Sequence, residues 1–303
     1  MRRSKRIELC AASKQGGRDA QEDDFIVYQS PDKNITVMGV FDGHSSRGGG
    51  NKISRALVQG FKLIGKELDS KLFQNPKQFK NFLTMNSEDI DEWLLENQGE
   101  NAVQAGSTAS LGFYDARSNI FYAYNVGDSR IVFFELVPSA RQGGKKIVKK
   151  GTWHQTADHK PSLQSEIDRI ERAGGMVRTG RANSSVARVD GVLAISRSFG
   201  DFGLKQPYND AAGDWVISKP KITGPYRPGK TSDFYAIAGS DGVWDQMTSK
   251  EATKRITEYA NGSTGGRGSL QKLCNEIVNI NIERWKNGSG ADNVTAVIMH
   301  VKK

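Results

Sequence analysis

The sequence predicts an α+β fold. Short runs of β-branched and aromatic residues recur along the whole chain, stretches with helical spacing are inserted between them, and strand follows strand more often than strand alternates with helix. A regular βαβ order would place a helical stretch after every strand, and this chain does not.

Taken in order, the runs Ile35 to Phe41, Ala109 to Tyr114, Ile120 to Asn125, Ile131 to Val137, Val192 to Ile195, Phe234 to Ala238 and Val294 to Val301 read as strands. Helical spacing marks Lys52 to Leu68, Ile90 to Leu95 with its flanks, Ser162 to Arg172 closed by Gly174 and Gly175, and Leu270 to Trp285. Ser139 to Lys150, rich in Gly and Lys between apolar runs, reads as an extended connection between strands. Met176 to Gly191 is polar and irregular and reads as a mobile flap. No repeat of fixed period and no Pro/Ser-rich linker breaks the chain, so residues 1–303 are expected to form one catalytic-sized domain.

At 37% hydrophobic residues the 303-residue chain has enough apolar material for a sizeable core. No apolar run approaches the ~18 residues of a membrane span, and Met1 to Glu8 carries no hydrophobic stretch behind its basic residues. An intracellular protein, cytoplasmic or nuclear, is expected. Cys10 and Cys274 are too few for a disulfide framework and lack metal-ligand spacing, so reduced, packed thiols are expected. Asn183, Asn261, Asn287 and Asn293 head formal glycosylation triplets, which without an export signal carry no weight. The net charge of +9 would draw nucleic acid, anionic surfaces and phosphorylated partners alike. Its clusters, Arg2 to Arg6 and Arg141 to Lys150, hold no interleaved aromatic residues for base stacking, so no nucleic-acid partner is expected.

Apolar runs end repeatedly in an acid beside glycine or asparagine. Val37 to Phe41 ends in Asp42-Gly43-His44, Phe234 to Ser240 in Asp241-Gly242, and Tyr122 to Val126 in Gly127-Asp128, while Asp292-Asn293 opens Val294 to Val301. Singly, each is ordinary turn chemistry. If several meet at one sheet edge, they cannot all stay ionised unless cations neutralise them or some take up protons. Oxygen-only ligands select Mg²⁺ or Mn²⁺, and none of the four histidines, His44, His154, His159 and His300, pairs with another at zinc-ligand spacing.

An ordered series of motifs then resembles the type 2C, metal-dependent serine/threonine protein phosphatases (the PPM family). It runs from Gly17-Arg18 and Gln21-Glu22-Asp23 through Val40-Phe41-Asp42-Gly43-His44, Gly106-Ser107-Thr108-Ala109 and Asn125-Val126-Gly127-Asp128-Ser129-Arg130. It continues with Asp158-His159-Lys160-Pro161, Arg169-Ile170 through Ala173-Gly174-Gly175, Leu193-Ala194-Ile195-Ser196-Arg197-Ser198-Phe199-Gly200-Asp201, Ser240-Asp241-Gly242-Val243-Trp244-Asp245 and Asp292-Asn293-Val294-Thr295. The resemblance implies a four-layer α-β-β-α sandwich, two central antiparallel sheets flanked by helices, with metals at one end.

It further implies hydrolysis of phosphoserine and phosphothreonine esters in proteins by water or hydroxide bridging two Mg²⁺ or Mn²⁺ ions. By motif match, Asp42 bridges the ions, Glu22 and the Gly43 carbonyl complete one site, and Asp241 and Asp292 the other, with Asp23 supporting from behind. Asp128 and Asp245, together with Asp241, match a third, looser metal site. Arg18 matches the guanidinium that clamps phosphate, whose planar fork suits tetrahedral oxygens, and His44 the acid that protonates the departing alkoxide. Lys160, Arg188 and Arg197 are read two ways, as groups attracting the phosphoprotein or as ordinary ion pairs. A monomer with phosphoprotein substrates and no membrane partner is expected.

The chain departs from the family where a glycine usually follows the histidine: it has Ser45-Ser46-Arg47 and then Gly48-Gly49-Gly50. Gly224 to Thr231 fits the nucleotide-binding P-loop pattern, yet Pro225 and Pro228 have no N–H to cradle phosphate, and neither a preceding strand nor a following helix is predicted. A non-catalytic phosphoprotein-binding module would be expected to have lost metal ligands, and Glu22, Asp42, Asp241 and Asp292 are all acidic.

Overall fold

Residues 6–45, 47–179, 186–206, 213–262, 269–288 and 290–303 are described by the structure, a computed structural model. Strands β1 (Arg6–Lys14), β2 (Asp23–Gln29) and β3 (Ile35–Ser45) lead into helices α1 (Gly50–Glu67), α2 (Ser70–Gln74), α3 (Pro76–Gln98) and α4 (Glu100–Gln104). Then come β4 (Ala105–Ser107), β5 (Ala109–Asp115), β6 (Ile120–Val126), β7 (Arg130–Pro138), β8 (Lys146–Val148) and β9 (His154–Gln155). Helix α5 (Gln164–Arg172) precedes β10 (Val177–Thr179), β11 (Ala187–Val189), β12 (Phe199–Gly200), β13 (Lys221–Tyr226) and β14 (Asp233–Gly239). Helices α6 (Asp241–Trp244), α7 (Ser249–Ala260) and α8 (Leu270–Asn287) separate β14 from the last strand, β15 (Val294–Lys302).

Apart from the separate pair β10 and β11, the strands form two antiparallel sheets. One has the order β1-β15-β14-β7-β8 with β9 against β7, the other β12-β4-β3-β5-β6-β13 with β2 against β3. Because successive side chains in a strand face opposite ways, each central strand feeds two cores. Met38 and Val40 of β3, Phe121 and Ala123 of β6, Phe133 of β7, Phe234 of β14 and Met299 of β15 meet between the sheets. Val37, Phe41, Tyr122 and Tyr124 face out to α1 and α3, and Phe134, Ile237 and Ile298 face out to α7 and α8. The result is the expected four-layer sandwich.

Strands buried on both faces read as near-continuous apolar runs, which is why β3, β5, β6, β7, β14 and β15 were predictable. Within the central layer Phe121, Phe133 and Phe234 contact one another with centroids 5.0 to 6.3 Å apart. Truncating any one of them to Ala is expected to cost about 3–5 kcal/mol. Helix starts are fixed by caps: Asn75 accepts from Gln78 N with Pro76 behind it, Thr248 from Glu251 N, and Ser269 from Lys272 N.

Several expectations are corrected. Val192 to Ile195 is not a strand: Val192 lies in a turn with 63% of its surface exposed, and only Leu193 makes an isolated bridge, to Val189. The helix around Ile90 to Leu95 is one part of the 23-residue α3. Ser139 to Lys150 does connect strands, but its end adds β8 to the sheet edge beside β7. Strands β1 and β2 and helix α7 are among the elements outside the runs that the sequence marks; β1 has a single β-branched residue, Ile7, and is half-exposed along most of its length. In the segment Met176 to Gly191, β10 pairs with β11; residues 180–185, Asn183 included, lie outside the described residues. The P-loop look-alike forms the end of β13 and the turn before β14, not a strand-loop-helix.

Candidate active site

The acids predicted from strand ends gather at one end of the sandwich, contributed by both sheets. Asp42 stands in β3 opposite Asp23 of β2 in the antiparallel register. Its backbone is pinned from the neighbouring strand: Asp42 N donates to Thr108 Oγ1 at 3.1 Å, and Thr108 N donates to the Asp42 carbonyl at 2.9 Å. Asp241 opens α6 directly after β14, and Asp292 sits just before β15 in the other sheet. Asp128 lies where the chain crosses from β6 of one sheet to β7 of the other.

Each of these carboxyls feels the others. Burial, then the charges of Asp241 and Asp23, hold the Asp42 carboxyl well above the usual carboxylate range. Asp241 is pushed up in the same way by burial, Asp128 and Asp292, and it shares a side-chain hydrogen bond with Asp42. Burial raises Asp23 to about 7 even though Thr295 and Ser240 hydrogen-bond to it, the Ser240 hydroxyl at 2.8 Å. Asp292 and Asp245 are also raised, by burial first, with Arg18 and Lys160 respectively opposing the rise.

Glu22 is the fixed member of the group. Its carboxylate accepts from Gly50 N at 2.9 Å, its carbonyl accepts from Gly43 N and the Ser54 hydroxyl, and its N–H donates to Asn293 Oδ1 at 2.8 Å. Among the described residues no three His, Cys, Asp or Glu side chains are arranged, as they stand, to hold a metal ion. The donor chemistry nevertheless fits a hard cation. An all-oxygen set of buried carboxyls raising one another's pKa is the electrostatic deficit that a divalent ion relieves.

Beside the acids, His44 Nε2 lies 2.7 Å from Asp201 Oδ2, and Ser198 Oγ donates to the same oxygen at 2.5 Å. Two registers produce the pair, since β4 places Gly106 opposite both His44 of β3 and Gly200 of β12. Gly106 has to be glycine here: a Cβ at that position would stand 2.1 Å from Asp201 Oδ2 and 2.7 Å from His44 Nε2. Burial alone would lower the His44 pKa, but the Asp201 charge and hydrogen bond raise it above the ordinary value. Asp201 is reciprocally lowered by His44 and Ser198 against the upward pull of burial.

The family model for protein phosphatase 2C matches residues 7–288. The chain belongs to the protein phosphatase 2C family. Members are protein serine/threonine phosphatases that depend on Mg²⁺ or Mn²⁺. A probable protein phosphatase 2C 3 of Paramecium tetraurelia is 27% identical, covering 99% of this chain and 94% of its own length. A probable protein phosphatase 2C 69 of Arabidopsis thaliana is 32% identical over 95% of this chain and 68% of its own. The fold matches a serine-threonine phosphatase 2C from Toxoplasma gondii with a TM-score of 0.72 at 20% identity, covering 98% and 95% of the two chains.

In this phosphatase 2C chain the predicted cations are distributed unevenly. Arg18 stays at the acid cluster: its Nε donates to the Ala291 carbonyl at 2.7 Å and its NH2 lies 3.1 Å from Asp292 Oδ1, with about half its surface open. Lys160 hydrogen-bonds to Asp128 Oδ2. Arg197 is committed to the buried Glu166, 2.5 Å away, and to the Lys219 carbonyl, which is the ion-pair alternative. Arg188 of β11 donates to the Val192 carbonyl at 2.6 Å, in the turn that follows β11, and no described contact joins it to the acids. At the departure from the family pattern, Ser45 Oγ donates to the Gly48 carbonyl at 3.0 Å; Ser46 lies outside the described residues. Asp201 lies within a sequence motif, but its partnership with His44 depends on two long-range strand registers that no local pattern reveals.

Proposed function

We propose that this phosphatase hydrolyses phosphoserine and phosphothreonine esters of proteins at the acid cluster, with Arg18 clamping the phosphate and His44 acting as general acid. What carries the proposal is the convergence of carboxyls from both sheets next to a histidine whose charge is supported by a buried carboxylate.

Divalent ions held by Glu22, Asp42, the Gly43 carbonyl, Asp241 and Asp292 would supply Lewis acidity and the positive charge these carboxyls lack, with Asp128 and Asp245 as a third, looser site. The chain's own groups do the rest. The exposed fork of Arg18, anchored at Ala291 and Asp292, binds and orients phosphate oxygens. With His44 Nε2 engaged by Asp201, Nδ1 is the nitrogen left to donate a proton to the departing serine or threonine oxygen. Water adds to phosphorus, the ester P–O bond breaks, and the proton from His44 completes the alcohol.

The test is phosphate release from a phosphothreonine peptide with Mn²⁺, with chelator, and with Asp42→Asn. Metal-dependent release that the substitution nearly abolishes is expected; release that survives both treatments would overturn the proposal.

A further inference from the structure

A groove of about 510 Å³ adjoins Arg18, lined by Lys14, Gln15, Gly16, Gly17, Ile282 and Trp285, with Lys286, Gly290 and Ala291 at its margin. It lies between the turn that follows β1 and the last turn of α8. From this groove we propose that the enzyme reads the sequence around the phosphorylated residue: an extended substrate segment seats one large apolar side chain there and places acidic neighbours against Lys14 and Lys286. The inference rests on the phosphatase reading above and deepens it to a substrate class.

Continuity is the first support. Ala291 both lines the groove and accepts the Arg18 Nε hydrogen bond, so phosphate held by Arg18 leaves the flanking peptide beside the groove. At ~3.3 Å per residue, an extended chain reaches it within about three positions of the phosphorylated residue.

Construction is the second. Gly16 has φ +63°, and a Cβ there would stand 2.1 Å from the Asp292 carbonyl oxygen. A Cβ on Gly17 would meet Ala291 Cβ at 2.9 Å, and one on Gly290 would meet the Trp285 ring at 2.8 Å. The walls therefore approach as closely as backbone allows. Trp285 Nε1 donates to the Gly242 carbonyl at 2.9 Å, which fixes the indole and ties the groove to the residue after Asp241.

Charge is the third. Ile282 and Trp285 give an apolar floor, while the exposed Lys14 and Lys286 give a basic lip next to Arg18. Lys286 is paired with Glu283 one turn back on the exposed face of α8. An apolar floor with a basic lip selects an apolar anchor flanked by acids.

The experiment compares kcat/KM for phosphothreonine peptides in which one Phe is moved through the three positions on either side of the phosphoresidue, in an Ala/Asp background, with p-nitrophenyl phosphate as the small substrate. One placement is expected to raise kcat/KM about tenfold, the worth of burying an aromatic side chain partway. A benzophenone amino acid at that placement is expected to cross-link to the groove residues. The double variant K14E/K286E is expected to lower the ratio of peptide to p-nitrophenyl phosphate kcat/KM about tenfold. Equal kcat/KM at every placement, or cross-links elsewhere, with p-nitrophenyl phosphate still turned over, would overturn the groove alone. Failure to hydrolyse either substrate with Mn²⁺ would overturn the phosphatase reading beneath it.

Discussion

His44 and Asp201 are 157 residues apart in sequence and 2.7 Å apart in the structure, brought together by Gly106, which pairs with His44 on one side and with Gly200, the residue before Asp201, on the other. Asp201 supports the charged imidazole against burial, which by itself would drive the proton off.

Asp201→Asn removes that support while keeping the shape. If His44 is the general acid proposed above, it works only while protonated, so activity falls as pH rises through its pKa. Lowering the His44 pKa is therefore expected to move the alkaline limb of the kcat–pH profile toward lower pH and to reduce kcat about 10- to 100-fold. An unmoved limb in a well-folded variant would show that Asp201 does not act through His44.

Asp42 is costly to the metal-free fold because burial and its acidic neighbours oppose its ionisation. A carboxyl whose folded pKa is raised loses stability as pH rises above the ordinary carboxylate pKa. Asp42→Asn is thus expected to melt a few degrees higher than wild type in chelator near neutral pH, at roughly 2–4 °C per kcal/mol. Mn²⁺ is expected to raise the wild-type midpoint and to leave the variant nearly unmoved; scanning fluorimetry decides it.

Asp91 of α3 holds the turn that carries Asp201. Its carboxylate accepts from Gly200 N at 2.8 Å and from the buried Lys205 ammonium at 2.6 Å. Asp91→Ala strands a buried cation and is expected to cost about 3–5 kcal/mol in urea unfolding, whereas D91L/K205M recovers most of that loss. The double variant should still show the acid-shifted alkaline limb if the turn has loosened.

Acid should unfold the protein through two buried groups. Burial would raise Glu166, but Arg197 and Arg169 hold it at about 2. Its contribution, about 3 kcal/mol at about 1.4 kcal/mol per pKa unit, is full above the unfolded carboxylate pKa and fades as pH falls toward 2. Burial and Arg197 hold His159 at about 3. Below the ordinary histidine pKa the unfolded chain takes up a proton that folded His159 refuses, so stability rises with pH from about 3 to about 6.5. The urea midpoint is expected to climb over that range, to climb less in His159→Gln, and to fall at neutral pH in Glu166→Gln.

The acids were legible because each stands at the end of a strand buried on both faces, where the apolar run stops abruptly. Asp42, Asp241 and Asp292 carry that signal in their own neighbourhoods. Asp201 does not, because nothing local to Phe199 and Gly200 tells that β4 will bring them to His44. Strand β1 carries little signal, because Cys10, Ala11 and Ala12 are small and its ends are polar. Val192 to Ile195 shows the opposite case: its apolar composition suggests a strand, while Gly191 at φ +73° turns the backbone instead. Arg197 and Arg188 show a further limit: sequence supplies a cation but not the carboxylate or carbonyl that claims it.

The acid cluster borrows Asp42 from one sheet and Asp241 and Asp292 from the other. An ion held by all three, as proposed, would be a rivet through the sandwich, so cation affinity and the cohesion of the layers would be two readings of one free energy. Loosening the Phe121–Phe133–Phe234 contacts far from the chemistry should be felt first as a weaker appetite for manganese, before any helix melts.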